Sequence, residues 1–264
     1  MKFTSLAEKK KTILFIILGF FFLTNTLVAE FMGVKIFSLE DSLGITPLSF
    51  HLFGQDITGL SLTCGVLLWP FVFIMTDIIN EYYGKRGVRL LSWLAAIMIA
   101  YAFIMLFAAM GTIPPPWWVN SSNYGQNLNF NDAYNAVFGQ GLNIIIGSLA
   151  AFLIGQFVDV YVFHWVKKRT GNKYMYLRAT GSTLVSQLID SFVVLFIAFY
   201  LAKMGKPEQW PMSRVLAIGT LNYIYKFLAA IVLTPVIYLV HGFIDRWLGE
   251  PLSKEMMDDA ASEE

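Results

Sequence analysis

The chain has 264 residues, 56% of them hydrophobic and only 14% charged, with a mean hydropathy of +0.59. An average soluble domain is about 25% charged, so soluble globular, disordered and coiled-coil classes are excluded and a polytopic membrane protein is the natural class. A formal net charge of +1 speaks against a nucleic-acid surface, which is usually basic. One cysteine, Cys64, excludes an internal disulfide and any multi-cysteine zinc or iron–sulfur site.

Six apolar stretches follow one another: about Thr12–Ala29, Ile57–Thr76, Leu90–Met110, a run within Ala133–Trp165, Ala179–Ala202 and Val215–Val240. Each can cross a hydrocarbon layer of about 30 Å. Inside lipid the backbone must satisfy its own hydrogen bonds, so helices are expected. A β-barrel needs alternating segments of about 10 residues, and these runs are longer and more uniformly apolar. The predicted fold is an all-α membrane protein, a bundle of six transmembrane helices. The first stretch follows Lys9, Lys10 and Lys11 but exceeds a signal-peptide core of about 7–15 residues, so it reads as a retained helix. The fourth opens at Asp132 with a segment that reads as a short interfacial helix, Gly141 permitting a bend.

The basic residues set the orientation. With the N-terminus inside, inner segments hold Lys2, Lys9, Lys10, Lys11, Lys85, Arg86, Arg89, Lys167, Lys168, Arg169, Lys173, Arg178, Arg246 and Lys254. Outer segments hold only Lys35, Lys203, Lys206 and Arg214, so both termini are expected in the cytoplasm. The expected layout is a cytoplasmic segment 1–11, a transporter domain 12–245 and an acidic cytoplasmic tail 246–264, read as solvated. The outer loop from Thr112 to Asn131 lacks Lys and Arg. Pro114, Pro115 and Pro116 argue against a regular helix there, and Trp117 and Trp118 suit an interface.

Ionisable groups within spans cost about 2.5–3.5 kcal/mol each on insertion scales and are functional candidates by default. This chain keeps Asp159, Asp190 and Lys226 there, with Asp77 and Glu81 at the inner end of the second span. Polar partners sit three or four residues away, on the same helix face: Gln156 with Asp159, Ser186 and Gln187 with Asp190, and Asn222 with Lys226; Ser182 lies one further turn back from Ser186. Lys226 can balance one buried carboxylate. A carboxylate left over is then available to a solute or a proton. Asp77 and Glu81 are alternatively solvated beside Lys85 and Arg86, and Glu30 reads as solvated at the outer end of the first span. His51, His164 and His241 fall at loops or span ends, without a close pair, so metal chemistry has little support. No phosphate-loop lysine motif occurs, so the chain alone should not hydrolyse ATP.

A carboxylate accepts paired N–H groups from a planar heterocycle, and Gln156, Gln187 and Asn222 can read its carbonyl and ring nitrogens. Trp69, Phe73, Tyr223 and Tyr225 are the stacking candidates. A flat, nitrogen-rich, neutral or cationic solute is the expectation.

Residues 76–86, TDIINEYYGKR, resemble a signature of the queuosine precursor transporter family. Further likenesses are GQFVDV at 155–160, STLVSQLID at 182–190 and YKF at 225–227. The resemblance spans about Thr12 to Asp245. It implies a bacterial inner-membrane importer of 7-cyano- or 7-aminomethyl-7-deazaguanine, with no ATPase of its own and no cofactor. Its partners would be a purine-like solute and the bilayer, without nucleic acid, and homo-oligomerisation is open. Proton coupling and facilitated diffusion are both open. The alternatives are a substrate-binding subunit of an ATP-driven multi-component vitamin transporter and a membrane enzyme using Asp159 and Asp190. The second lacks an accompanying nucleophile or metal motif, so no enzyme is expected.

Overall fold

The computed structural model describes residues 5–119, 128–139, 142–170 and 175–262. Lys2, Gly141, Lys173, Glu263 and Glu264 lie outside the described residues, as do residues 120–127 of the outer loop and the side chain of Arg178.

Helix α1 (Leu6–Met32) is N-capped by Ser5, whose Oγ accepts from the Glu8 N–H at 3.1 Å. A small extended segment follows: strand β1 (Ile36–Ser38), helix α2 (Leu39–Leu43), and strands β2 (Ser49–Leu52), β3 (Gln55–Thr58) and β4 (Ser61–Thr63). Strands β1 and β4 pair antiparallel, as do β2 and β3. Buried Glu40 of α2 accepts the Leu60 N–H on both carboxylate oxygens, at 3.0 and 2.8 Å, which lowers its pKa below the ordinary 4.5. A 3₁₀ turn (Cys64–Leu67) then leads into α3 (Trp69–Met110). Gly65 lies so close to α1 that a Cβ there would sit 2.5 Å from the Ala29 carbonyl oxygen.

The second apolar stretch is therefore not one helix. Its first half, from Ile57, forms strands and the 3₁₀ turn, and the helix begins only at Trp69. The physical reason is periodicity. Ile57, Leu60 and Leu62 are interleaved with Thr58, Gly59, Ser61 and Thr63, a near-alternating pattern that suits a pleated strand.

Helix α3 reverses at Gly84, whose φ of 63° and ψ of −168° are a conformation open almost solely to glycine. The break yields two arms, α3a (69–83) and α3b (85–110). Tyr83 OH donates to the Lys11 carbonyl at 2.6 Å, while Gly65 abuts Ala29, so α3a runs antiparallel to α1. Leu91 packs on Gly19, and the Phe103 and Phe31 rings lie 5.8 Å apart, so α3b runs parallel to α1. Replacing Gly84 with Ala is expected to destabilise the hairpin by about 1–3 kcal/mol. Thermal unfolding of the detergent-purified variant checks this.

After α3 come a short turn α4 (Pro116–Val119), α5 (Phe130–Phe138), α6 (Leu142–Thr170), α7 (Met175–Leu195), a π-helical segment (Phe196–Leu201), α8 (Met212–Leu248) and α9 (Glu250–Ser262). Pro116 opens α4, where a missing N–H does no harm. Helix α5 is the short helix expected ahead of the fourth span, with Asn129 capping it through Asn131 and Asp132 N–H.

Side-chain contacts fix the remaining directions. Helix α6 runs with α3a, because Thr76 meets Gln156, Asn80 meets His164 and Glu81 meets Lys167. Helix α7 opposes α6: Gly147 lies by Val194 and Ala198, Gly155 by Ser186 and Asp190. Helix α8 opposes α7, with Gly219 against Phe192 and Lys226 bonded to Asp190. Thus α1, α3b and α7 point one way and α3a, α6 and α8 the other.

Five helices, counting α3 as one, are long and apolar enough to cross a membrane. Phe22, Ile78, Ile79, Phe152 and Phe163 are fully buried between them. Large apolar side chains also remain outside: Val232 and Leu239 are 73% exposed and Phe243 is 74% exposed, a surface that suits lipid rather than water.

The C-terminal segment is not a free tail. Helix α9 buries Ser253, Met256 and Ala260 against the bundle. Asp245 of α8 joins three elements, accepting from Tyr82 OH at 2.8 Å and from Ser253 Oγ, and meeting His241 Nδ1 at 2.9 Å. Lys10 Nζ donates to the Trp247 and Leu248 carbonyls at 2.7 and 3.0 Å, satisfying the open C-terminus of α8. Lys11 pairs with Glu255 at 2.9 Å. Acidic composition suggested solvation, but the apolar residues at helical spacing dock the segment.

Candidate functional site

Helices α3a, α6, α7 and α8 bring their polar stripes together. Small residues allow this: Gly155 of α6 sits against the Asp190 Cβ and the Ser186 backbone of α7, so the two helices approach closely around their carboxylates. The in-span charges point inward, not to lipid. Asp159 is fully buried, and the Lys226 and Asp190 side chains are 9% and 18% exposed.

Lys226 Nζ donates to Asp190 Oδ2 across α7 and α8. Asp77 accepts from Thr183 Oγ1 at 3.0 Å and Ser182 Oγ at 3.4 Å, both from α7. Asp159 accepts from Ser186 Oγ at 3.1 Å, one turn further along the same face. Thr76 Oγ1 donates to Gln156 Oε1 at 2.9 Å, leaving the buried Gln156 Nε2 without a hydrogen bond. Gln187 is buried as well, and its Oε1 has no hydrogen-bond partner.

Between α3a, α7 and α8 lies a cavity lined by Pro70, Ile74, Asp77, Thr183, Gln187, Lys226, Ala230 and Ile237. It encloses about 350 Å³ of empty space with its mouth included. Its interior admits little more than a water molecule. A bicyclic solute therefore needs these helices to part. Lys226, Gln187 and Asp77 reach the cavity from three helices. Asn222 is half-buried one turn before Lys226 and is not among the lining residues. No aromatic residue is among them either. Trp69 instead packs on Phe152 at 5.6 Å and Phe73 at 6.4 Å, and Tyr223 on Phe227 at 6.2 Å.

One alternative and one expectation about charges fall away. Glu81 is not solvated beside Lys85 and Arg86. It is buried and forms an ion pair with Lys167 of α6 at 3.6 Å. Glu30 is not solvated at the outer end of α1. It is half-buried and accepts from Ser148 Oγ of α6 at 2.5 Å.

Sequence reasoning also missed a contact one turn below Asp77. His164 Nε2 lies 2.9 Å from Asn80 Oδ1, both side chains buried. The signal was present. Asn80 is three residues from Asp77, His164 eight from Gln156 and Lys167 eight from Asp159, so each continues a polar stripe of its helix.

Long apolar helices with an apolar outer surface, enclosing ionisable groups that reach a shared cavity, define a multi-pass membrane transport protein. Comparison with known proteins agrees. The family described as "Putative vitamin uptake transporter" matches residues 63–240. The chain is 30% identical to the "Probable queuosine precursor transporter" of Bacillus subtilis (strain 168), over 72% of this chain and 76% of that protein. It is 27% identical to the "Queuosine precursor transporter" of Escherichia coli (strain K12), over 67% and 71% of the two chains. It is 28% identical to the "Probable queuosine precursor transporter" of Haemophilus influenzae (strain ATCC 51907 / DSM 11121 / KW20 / Rd), over 65% and 64%. No solved structure matches. The chain belongs to this transporter family, and these relatives carry transporter names, not enzyme names.

Proposed function

We propose that the protein imports queuosine precursors, 7-cyano- or 7-aminomethyl-7-deazaguanine, across the bacterial inner membrane by alternating access. The observation that carries the reading is the Asp190–Lys226 pair beside a cavity that Gln187 and Asp77 also reach. A guanine-like edge offers adjacent N–H donors and a carbonyl. A carboxylate accepts the first, and an ammonium or an amide donates to the second. Solute binding would exchange protein partners for solute partners at Asp190, Lys226 and Gln187. Asp77, Asp159, Gln156 and Ser186 support the site from α3a, α6 and α7, Asn222 contributes from α8, and Glu81 holds its inner end.

The chain crosses six times in this reading, with α3a and α3b counted separately. Arm α3a is about 22 Å long at 1.5 Å per residue. The preceding 3₁₀ turn adds about 8 Å, which together match a hydrocarbon layer of about 30 Å. In this reading both ends lie in the cytoplasm and residues 12–245 form the transport domain, which the alternating helix directions and the inner basic residues support. Alternating access needs α3a, α7 and α8 to separate toward one side at a time.

The test is uptake of labelled 7-cyano-7-deazaguanine by cells that cannot synthesise it. Expression of this chain is expected to restore queuosine in tRNA, and excess unlabelled precursor to compete. Restoration by no deazaguanine would defeat the substrate assignment. A binding subunit of an ATP-driven assembly is not favoured. Uptake by the purified chain in ATP-free liposomes separates the two readings.

A further inference from the structure

The charges inside the bundle do not balance locally. Four acidic side chains line the α3a–α6–α7 face: Asp77, Glu81, Asp159 and Asp190. Two of them have cations, Lys226 for Asp190 and Lys167 for Glu81. Asp77 and Asp159 have hydroxyls instead. Ser182 and Thr183 donate to Asp77, and Ser186 to Asp159, all within a single stretch of α7. Both carboxylates are at most 1% exposed, and Asp159 Oδ2 makes no hydrogen bond. Hydroxyls support a carboxylate but carry no charge. Two anions held by neighbouring hydroxyls of one helix at low dielectric, with no cation paired to either among the described residues, cannot both stay ionised.

Among the described residues, the other titratable groups around the pair do not change this. From α8, Lys226 is committed to Asp190. From α6, Lys167 faces Glu81 and His164 faces Asn80. From α1, Glu30 is bonded to Ser148. A second observation ties the pair to the solute site. Asp77 lines the same cavity as Gln187, whose buried Oε1 has no hydrogen bond.

We propose that Asp77 and Asp159 form a proton-binding site holding one proton between them, and that this proton is the coupling ion of transport. Its inner exit runs along the polar contacts between α3a and α6, first Asn80 with His164, then Glu81 with Lys167. Chains of acid and imidazole groups of this kind mark proton paths through membranes. The coupling half of the proposal rests on the importer reading above; the proton site does not.

Two measurements test it. Infrared spectra of the solute-free protein at neutral pH should show a protonated buried carboxyl band, shifted in heavy water and lost in both Asp77→Asn and Asp159→Asn. An absent band in the wild-type protein, or one that survives both substitutions, overturns the site. In liposomes, the wild-type chain should concentrate labelled 7-cyano-7-deazaguanine about tenfold per unit of alkaline-inside pH gradient, and a protonophore should abolish this. Exchange of labelled for unlabelled solute without gradient-driven accumulation overturns the coupling and leaves the importer reading standing. Absence of both exchange and accumulation defeats the substrate assignment and with it the coupling, and the infrared band then decides the proton site alone.

Discussion

Uptake by the Lys226→Met variant is expected to fall about 100-fold at low solute concentration, with normal amounts of protein in the membrane. Lys226 is the cation of α8 that reaches the cavity, and its ammonium donates to Asp190. Removing one partner of a buried charge pair costs about 2–5 kcal/mol. A loss near 2.8 kcal/mol is about 100-fold in apparent affinity. Asp190→Asn should give a similar loss from the other side. The double variant separates folding from function. Asparagine and methionine leave no unpaired charge, so stability should recover toward wild type. Transport should not recover, because neither side chain can read the solute as the pair does. Initial uptake rates, set against membrane abundance by immunoblot, provide the measurement. Wild-type rates in both single variants would remove the pair from the site.

Much of this arrangement was legible in the sequence because burying charge in lipid is so unfavourable. Asp159, Asp190 and Lys226 interrupt otherwise apolar runs, and that alone predicts that they face one another. Helical spacing also puts Gln156, Ser186 and Gln187 on the inward faces, and all three side chains are buried. What the sequence could not reveal was depth and partner. A hydropathy window reports how apolar a stretch is, not where its helix begins, so Ile57–Thr63 was merged with the helix that starts at Trp69. The shift moved Asp77 and Glu81 from the inner surface into the bundle. Lys167 stands with Lys168 and Arg169 among the inner basic residues that set the orientation, yet it alone of the three turns inward. Helix α9 was hidden by its acidic surface, because Met256 and Ala260 form too short a stripe to stand out. The aromatic candidates lie near the polar stripes in sequence, but nearness along the chain does not set which way a ring turns, and none is among the residues that line the cavity.

The change in depth at Glu81 gives the second large expectation. Lys167→Met should destabilise the protein by about 3–5 kcal/mol, the usual cost of removing one partner from a buried ion pair. Glu81 and Lys167 have side chains 2% and 5% exposed and approach to 3.6 Å, so water cannot take the place of the missing ammonium. Against a total stability of about 5–15 kcal/mol, that loss should lower the amount of folded protein in the membrane and the unfolding temperature in detergent. Lys168 lies on the exposed face of the same turn, and Lys168→Met should cost no more than about 1 kcal/mol. The Glu81→Gln/Lys167→Met double variant removes both charges and should regain most of the stability. If Lys167→Met unfolds at the wild-type temperature, Glu81 does not depend on it, and the inner end of the α3a–α6 contact must be held by other groups. The contrast with Lys226 is physical. Both lysines neutralise a buried carboxylate, but of the two only Lys226 opens onto the cavity. Its loss should therefore be read in uptake, and the loss of Lys167 in folding.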